Sequence, residues 1–210
     1  MSYPTRTGAA GSSRRRKLLC GLILLTAAAS ARVPLASCDT GAMAEVKLAV
    51  NQALSIVKDP KYKSARSEEN EKLLALLDEY FDFHEMGRSS LGENWNKLKP
   101  DQRERFEAAF QKYLERRYIS IMEGYSGQKI DFVKERSDGP DLAEVYTNVT
   151  NPMLQSPLDF DFLLKREQGK WEVYDMVIAG ISEVGTYRDD FKNAFDSGGY
   201  DALMKKLATG

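Results

Sequence analysis

The stretch Trp171–Phe191, WEVYDMVIAGISEVGTYRDDF, decides the fold. It opens as a strand, with Trp171, Val173 and Val177 on one side and Tyr174, Met176 and Ile178 on the other. Both sides are largely apolar, whereas one face of an antiparallel strand is ordinarily left to water. The apolar run continues through Ile181 and Val184 and ends in the polar TYRDDF. A second apolar face needs something apolar to touch, and the rest of the chain has to supply it.

Three more strand candidates precede this one: Lys129–Arg136, Leu142–Thr150 and Leu158–Arg166. The last begins with strict alternation, Leu158, Phe160, Phe162 and Leu164 against Asp159 and Asp161. With Lys170–Ile181 they make four, separated by the turn-like SDGPD, NPMLQSP and EQG. Short separators predict an antiparallel meander.

Helices come before the strands. Ala44–Asp59 carries Val46, Val50, Ala53, Leu54 and Val57 on one helical face, and Asn70–Phe83 carries Leu73, Leu74, Leu77 and Phe81. DPKYKSARSEENE between them reads as a polar connector, and Phe83–Trp95 as a short helix stopped near Gly92. Leu98–Tyr125 is the clearest helix, with Pro100 in its first turn and Phe106, Phe110, Tyr113, Leu114, Arg117 and Ile121 at three- and four-residue steps. After the strands, TYRDDFKNAFDSGGYDALMKKLA reads as two short helices broken at Gly198-Gly199. The predicted class is α+β: a curved antiparallel sheet of about four strands, covered by helices on one face, enclosing an apolar cavity.

The first 38 residues read as an export segment. SSRRRK is a basic start, LLCGLILLTAAASA a short apolar run, and Ala29–Ala31 a small-residue cleavage site. A second cut before Cys38 is also open, because LASC has the form of a lipobox. This leaves one domain over residues 39–210. Residues 1–38 hold six bases and no acid, so their removal leaves 24 bases against 31 acids, a formal charge of −7. An acidic body without a basic stripe excludes a nucleic-acid partner of the usual kind. Of Cys20 and Cys38 only the second survives, so no internal disulfide forms.

The chemistry-bearing residues are few. His84 is the only histidine, so there is no His pair, Cys pair or H-E-x-x-H for a metal and no Ser–His triad away from it. No catalytic residue, metal or cofactor is assigned. Asp159 and Asp161 alternate onto a solvated face, while Asp175 shares its strand side with Trp171 and Val173 and needs a partner if buried. Arg117 or Arg188 is expected to serve.

The blocks FDFHEMGRSSLGENWNKLKPDQRERFEAAFQKYLERRYISIMEGYSGQKIDF and WEVYDMVIAGISEVGTYRDDF resemble the two signatures of the MlaC family of periplasmic phospholipid-binding proteins, also called toluene-tolerance auxiliary proteins. The residues that carry the likeness include Phe81-Asp82-Phe83, Leu91-Gly92, Trp95, Val173-Tyr174-Asp175, Gly180-Ile181-Ser182 and Tyr187-Arg188. The resemblance covers roughly Val46 to Leu207, and departs from the family where Lys99 precedes Pro100 in place of Thr or Ser. It implies a non-enzymatic, monomeric periplasmic carrier that holds acyl chains inside the cavity. The implied partners are phospholipid, an inner-membrane ABC transporter with an MCE-domain subunit, and an outer-membrane lipoprotein complex. Lipidation of Cys38 would instead tether the protein.

On this reading the cavity wall comprises Val145, Val149, Phe160, Phe162, Val177 and Ile181 from the sheet and Phe110, Leu114, Tyr118 and Met122 from the long helix. Tyr125, Tyr187 and Arg188 are expected at the mouth. The alternatives are a carrier of hopanoid or other polycyclic lipid, a small-molecule enzyme using Asp175, and an accessory protein with a filled core.

Overall fold

The structure, a computed structural model, describes residues 41–151 and 156–209. The export segment, both cysteines and the middle of the NPMLQSP turn lie outside the described residues. Among the described residues no helix is long and apolar enough to cross a membrane.

Among the described residues five α-helices and five strands follow one another as α1 (Ala42–Lys58), α2 (Arg66–Tyr80), α3 (Phe83–Leu91), α4 (Pro100–Glu123), β1 (Lys129–Ser137), β2 (Leu142–Thr150), β3 (Leu158–Glu167), β4 (Lys170–Ile178), β5 (Ile181–Ser182) and α5 (Glu183–Thr209). Short 3₁₀ turns precede α2 and α4. The strands form one antiparallel meander in chain order. Much of the expected polar connector is helical: α2 starts at Arg66, with Glu68 and Glu69 in its first turn. Acidic side chains there complement the positive end of the helix dipole. Gly198 and Gly199 break α5 where the sequence predicts.

Helix α4 starts without a side-chain acceptor on Lys99, as its sequence predicts. Gln102 compensates in part, its side-chain oxygen accepting the Lys99 amide at 3.0 Å. Farther along, Phe106, Phe110 and Leu114 are fully buried against α3 and α5. Phe110 meets Tyr187 and Phe191 edge-on, with ring centres 5.6 and 5.7 Å apart. Such pairs stabilise beyond the area they bury. Gly87 lets α3 approach, since a Cβ there would stand 3.3 Å from the Phe110 ring.

Two features of β4 depart from its sequence reading. First, a bulge at Tyr174 interrupts the pairing with β3: Leu164 faces Val173, yet Leu163 faces Asp175. The extra residue reverses the alternation beyond it. Met176, rather than Val177, therefore joins Trp171 and Val173 on the inner face, and Val177 pairs with Asp161. Second, the strand does not run to Ile181. Ala179 and Gly180 both take positive φ, 52° and 80°, and fold the chain back into the two-residue β5. Two left-handed residues in succession make the tight hairpin turn that suits the twist of a sheet.

Among the described residues Asp175 has no arginine partner. Its buried carboxylate accepts the amides of Met176 (2.8 Å) and Val184 (3.0 Å) and the Ser182 hydroxyl (2.6 Å). Ser182 Oγ in turn accepts the Gly185 amide at 2.8 Å. The first amides of α5 would otherwise lack acceptors, and this carboxylate supplies one. Arg117 pairs with Glu183 at 3.2 Å, and Arg188 donates to the Ser89 carbonyl. Asp175→Asn turns an N–H donor toward these donors. It is expected to cost about 2–4 kcal/mol and lower the melting temperature by roughly 5–12 °C. An unchanged melting curve would refute the capping role. Ala179→Asn relieves a left-handed alanine and is expected to raise the melting temperature by about 2–4 °C, checked by the same scan.

Candidate functional site: an apolar cavity beneath α1

Helix α1 crosses β1 and β2 and packs along α2, but it does not fill the space below it. A cavity of about 330 Å³ remains between α1, α2, the C-terminal half of α4 and the inner face of the sheet. Ligand sites run from about 300 to 1,000 Å³, so this one is at the small end. Two properties of the sequence keep it hollow. The inner face of α1 carries the small Ala49 and Ala53 between Val46, Val50, Leu54 and Val57. The bulges in β1 and β4 bend the strands away from a flat sheet.

The cavity has a closed end and an open end. Val46, Leu77, Leu164 and Met176 close it and are buried. Ile121, 50% exposed, stands at the other end with the partly buried Tyr125 and Gln128. Polar contacts at its flanks hold α1 in place. The Met43 amide donates to Glu135 Oε2 at 2.8 Å, and Tyr80 donates to Gln52 at 2.9 Å. Lys47 lies over the Phe132 ring and Lys58 over the Tyr125 ring.

The lining is almost wholly hydrocarbon. Thr147 gives its hydroxyl to the Phe160 carbonyl, and the Tyr118 hydroxyl and Trp171 indole N–H are buried without a hydrogen-bond partner among the described residues. Burial drives the Tyr118 phenol well above its ordinary pKa, so it stays neutral. Among the described residues Glu45 is the single carboxylate in the lining. The groups that an enzymatic reading would need are elsewhere. His84 is exposed and bonded to Glu107 at 2.7 Å. Asp161 accepts the Thr147 amide at 3.2 Å, and its partial burial raises its pKa. Asp175 serves α5. Asp82, Glu167 and Glu172 approach one another, but Lys165 and Lys170 pair with them at 2.7 and 2.9 Å.

Of the residues the sequence nominates, Tyr118, Met122, Tyr125, Val149, Phe160 and Phe162 come together on the lining. Phe110, Leu114 and Val145 are packed core. Their helical or alternating pattern is the same as that of a wall, and only the neighbours differ. Tyr187 is also core: its hydroxyl donates to Glu183 at 3.1 Å, and burial, then Glu183, pushes its pKa far up. Val177 is displaced by the bulge, and Ile181, 65% exposed, sits beyond the hairpin turn. Arg188 is outside the cavity, with α3. Sequence reasoning misses the largest contributor, the inner face of α1. Its apolar stripe is visible, but only the alanines within it hint at a gap.

The chain matches the family description "MlaC protein" over residues 47–209. It is 27% identical over 131 residues to the intermembrane phospholipid transport system binding protein MlaC of Haemophilus influenzae, and spans 61% of the length of that relative. It also shares its fold with a phospholipid-binding protein from Ralstonia solanacearum solved in complex with a phospholipid. The TM-score is 0.71 at 24% identity, covering 80% of this chain and 96% of that one. The matched span takes in α2 to α5, the whole sheet and most of α1, and so all of the cavity lining but Glu45 and Val46: this chain belongs to the MlaC family.

Proposed function

We propose that this protein is a periplasmic lipid carrier that holds acyl chain beneath α1 and moves phospholipid between the outer and inner membranes. The observation that carries the reading is the cavity, apolar along its length and open at the end marked by Ile121 and Tyr125. The binding and transport named for the relatives point the same way. Residues 1–38 act as the export segment, and residues 39–210 form the single lipid-binding domain.

The physical need for such a carrier is large. Exposing a ~16-carbon chain to water costs on the order of 12 kcal/mol at about 0.8 kcal/mol per CH₂. Transfer between a bilayer and a hydrocarbon-lined cavity avoids most of that cost, so exchange is nearly neutral. Direction then comes from partners. An inner-membrane ABC transporter with an MCE-domain subunit and an outer-membrane lipoprotein complex fit this role. The protein itself performs no bond chemistry on this reading, because no acid–base pair among the described residues faces the ligand space.

Native mass spectrometry of the protein expressed with its leader, followed by denaturing extraction, tests the reading. A stoichiometric adduct that extracts as glycerophospholipid is expected. A homogeneous ligand-free mass would overturn it, and a polycyclic lipid would redirect it. Ala53→Trp places an indole in the cavity and is expected to remove most co-purified lipid while the circular dichroism spectrum is kept. Val177→Trp, outside the lining, is expected to leave lipid content unchanged. Equal lipid loss in both would show that the cavity is not where lipid sits.

A further inference from the structure

The sequence singles out Gly92, Trp95 and Arg188, yet none of them lines the cavity. They meet elsewhere. Helix α3, the 3₁₀ turn Gly92–Lys97 and α5 bound a second depression of about 250 Å³, walled by Glu85, Arg88, Ser89, Gly92, Trp95, Asn96 and Arg188.

Arg188 is held in position. Its Nε–H donates to the Ser89 carbonyl at 2.9 Å. Its stalk lies along Gly92, where an added Cβ would stand 3.6 Å from Arg188 Cδ. Gly92 takes φ 51° and ψ −128°, a conformation that essentially only glycine adopts. The guanidinium is thus fixed through one N–H, and among the described residues its terminal nitrogens have no hydrogen-bond or ion-pair partner. Arg88 supplies a second guanidinium, 3.6 Å from Glu85 Oε2, while Glu85 Oε1 accepts the Ser89 hydroxyl at 2.8 Å. Trp95 forms a rigid flat wall. Arg103 lies 5.1 Å from its ring centre and donates to its carbonyl at 3.1 Å.

We propose that this depression docks a carboxylate presented by an acidic segment of a partner protein. Two guanidinium groups and one carboxylate leave a single positive charge, which matches a monoanion. Glu85 would repel the second charge of inorganic phosphate or of a phosphate monoester. The planar fork of arginine pairs two N–H groups with the two oxygens of a carboxylate. A tryptophan and an amide side chain, Asn96, stand beside the fork. They supply contact for the peptide that carries the acid, and interface hot spots favour tryptophan and arginine. The site shares no residue with the cavity lining, so its failure would leave the carrier reading standing.

Nuclear magnetic resonance on the full chain tests it. A short glutamate-rich peptide is titrated against its glutamine counterpart and against inorganic phosphate. The Trp95 indole N–H and Arg188 Nε–H signals are expected to shift with the glutamate peptide and not with the glutamine peptide. Arg188→Lys and Arg88→Ala are each expected to weaken the response by about tenfold or more. Arg88→Ala keeps the test sound if Arg188→Lys loosens α5, because among the described residues Arg88 pairs only within its own helix. No shift, an equal shift with the glutamine peptide, or phosphate binding tighter than the peptide would overturn the proposal. So would Arg188→Lys and Arg88→Ala variants that bind as well as the parent.

Discussion

Helix α4 has one apolar stripe and two kinds of neighbour, and the rest of the structure depends on how that stripe is divided. Its first half, Phe106, Phe110 and Leu114, is locked among the rings of α5 and the close backbone of α3. Its second half, Tyr118, Ile121 and Met122, faces unfilled space. A void costs the contacts its lining would otherwise make. A domain carries that cost only if another part of it is packed to crystal-like density. The ring cluster provides the packing, and the α4 backbone links it to the cavity.

The same division explains what the sequence discloses. The strict alternation of LDFDF suffices to place Phe160 and Phe162 on the inner face, and the three- and four-residue steps of α4 suffice to place Tyr118 and Met122. The fold class, the meander and the break at Gly198-Gly199 are legible for similar reasons. Core and cavity wall are not separable in this way, because hydrophobic period reports burial and not what lies beyond the side chain. Phe110 and Met122 obey one rule and end in different surroundings.

Val177 and Arg188 fail for other reasons. Alternation counted straight through Tyr174 puts Val177 inside, and nothing in the residue types marks the bulge. Ala179 hides the hairpin in the same manner, since alanine is a poor residue for a left-handed turn. Asp175 invites an arginine because it is a buried acid on a strand, but backbone amides at the start of a helix are equally good partners for a carboxylate. Arg188 stands next to Tyr187 in the chain, yet the two diverge, one ring into the core and one guanidinium over Gly92.

The attachment of α1 has a consequence for how long the molecule survives. The start of the helix, at Ala42 and Val46, joins the core, while the inner face beyond it, from Ala49 to Val57, meets open space. An element with few buried contacts opens locally at a small fraction of the global unfolding free energy. Cargo beneath it adds contacts that exist only while the helix is closed, and so raises that local free energy by mass action. Proteases cleave the opened form. On the carrier reading the loaded chain is the more durable one, and cargo prolongs the lifetime of its carrier.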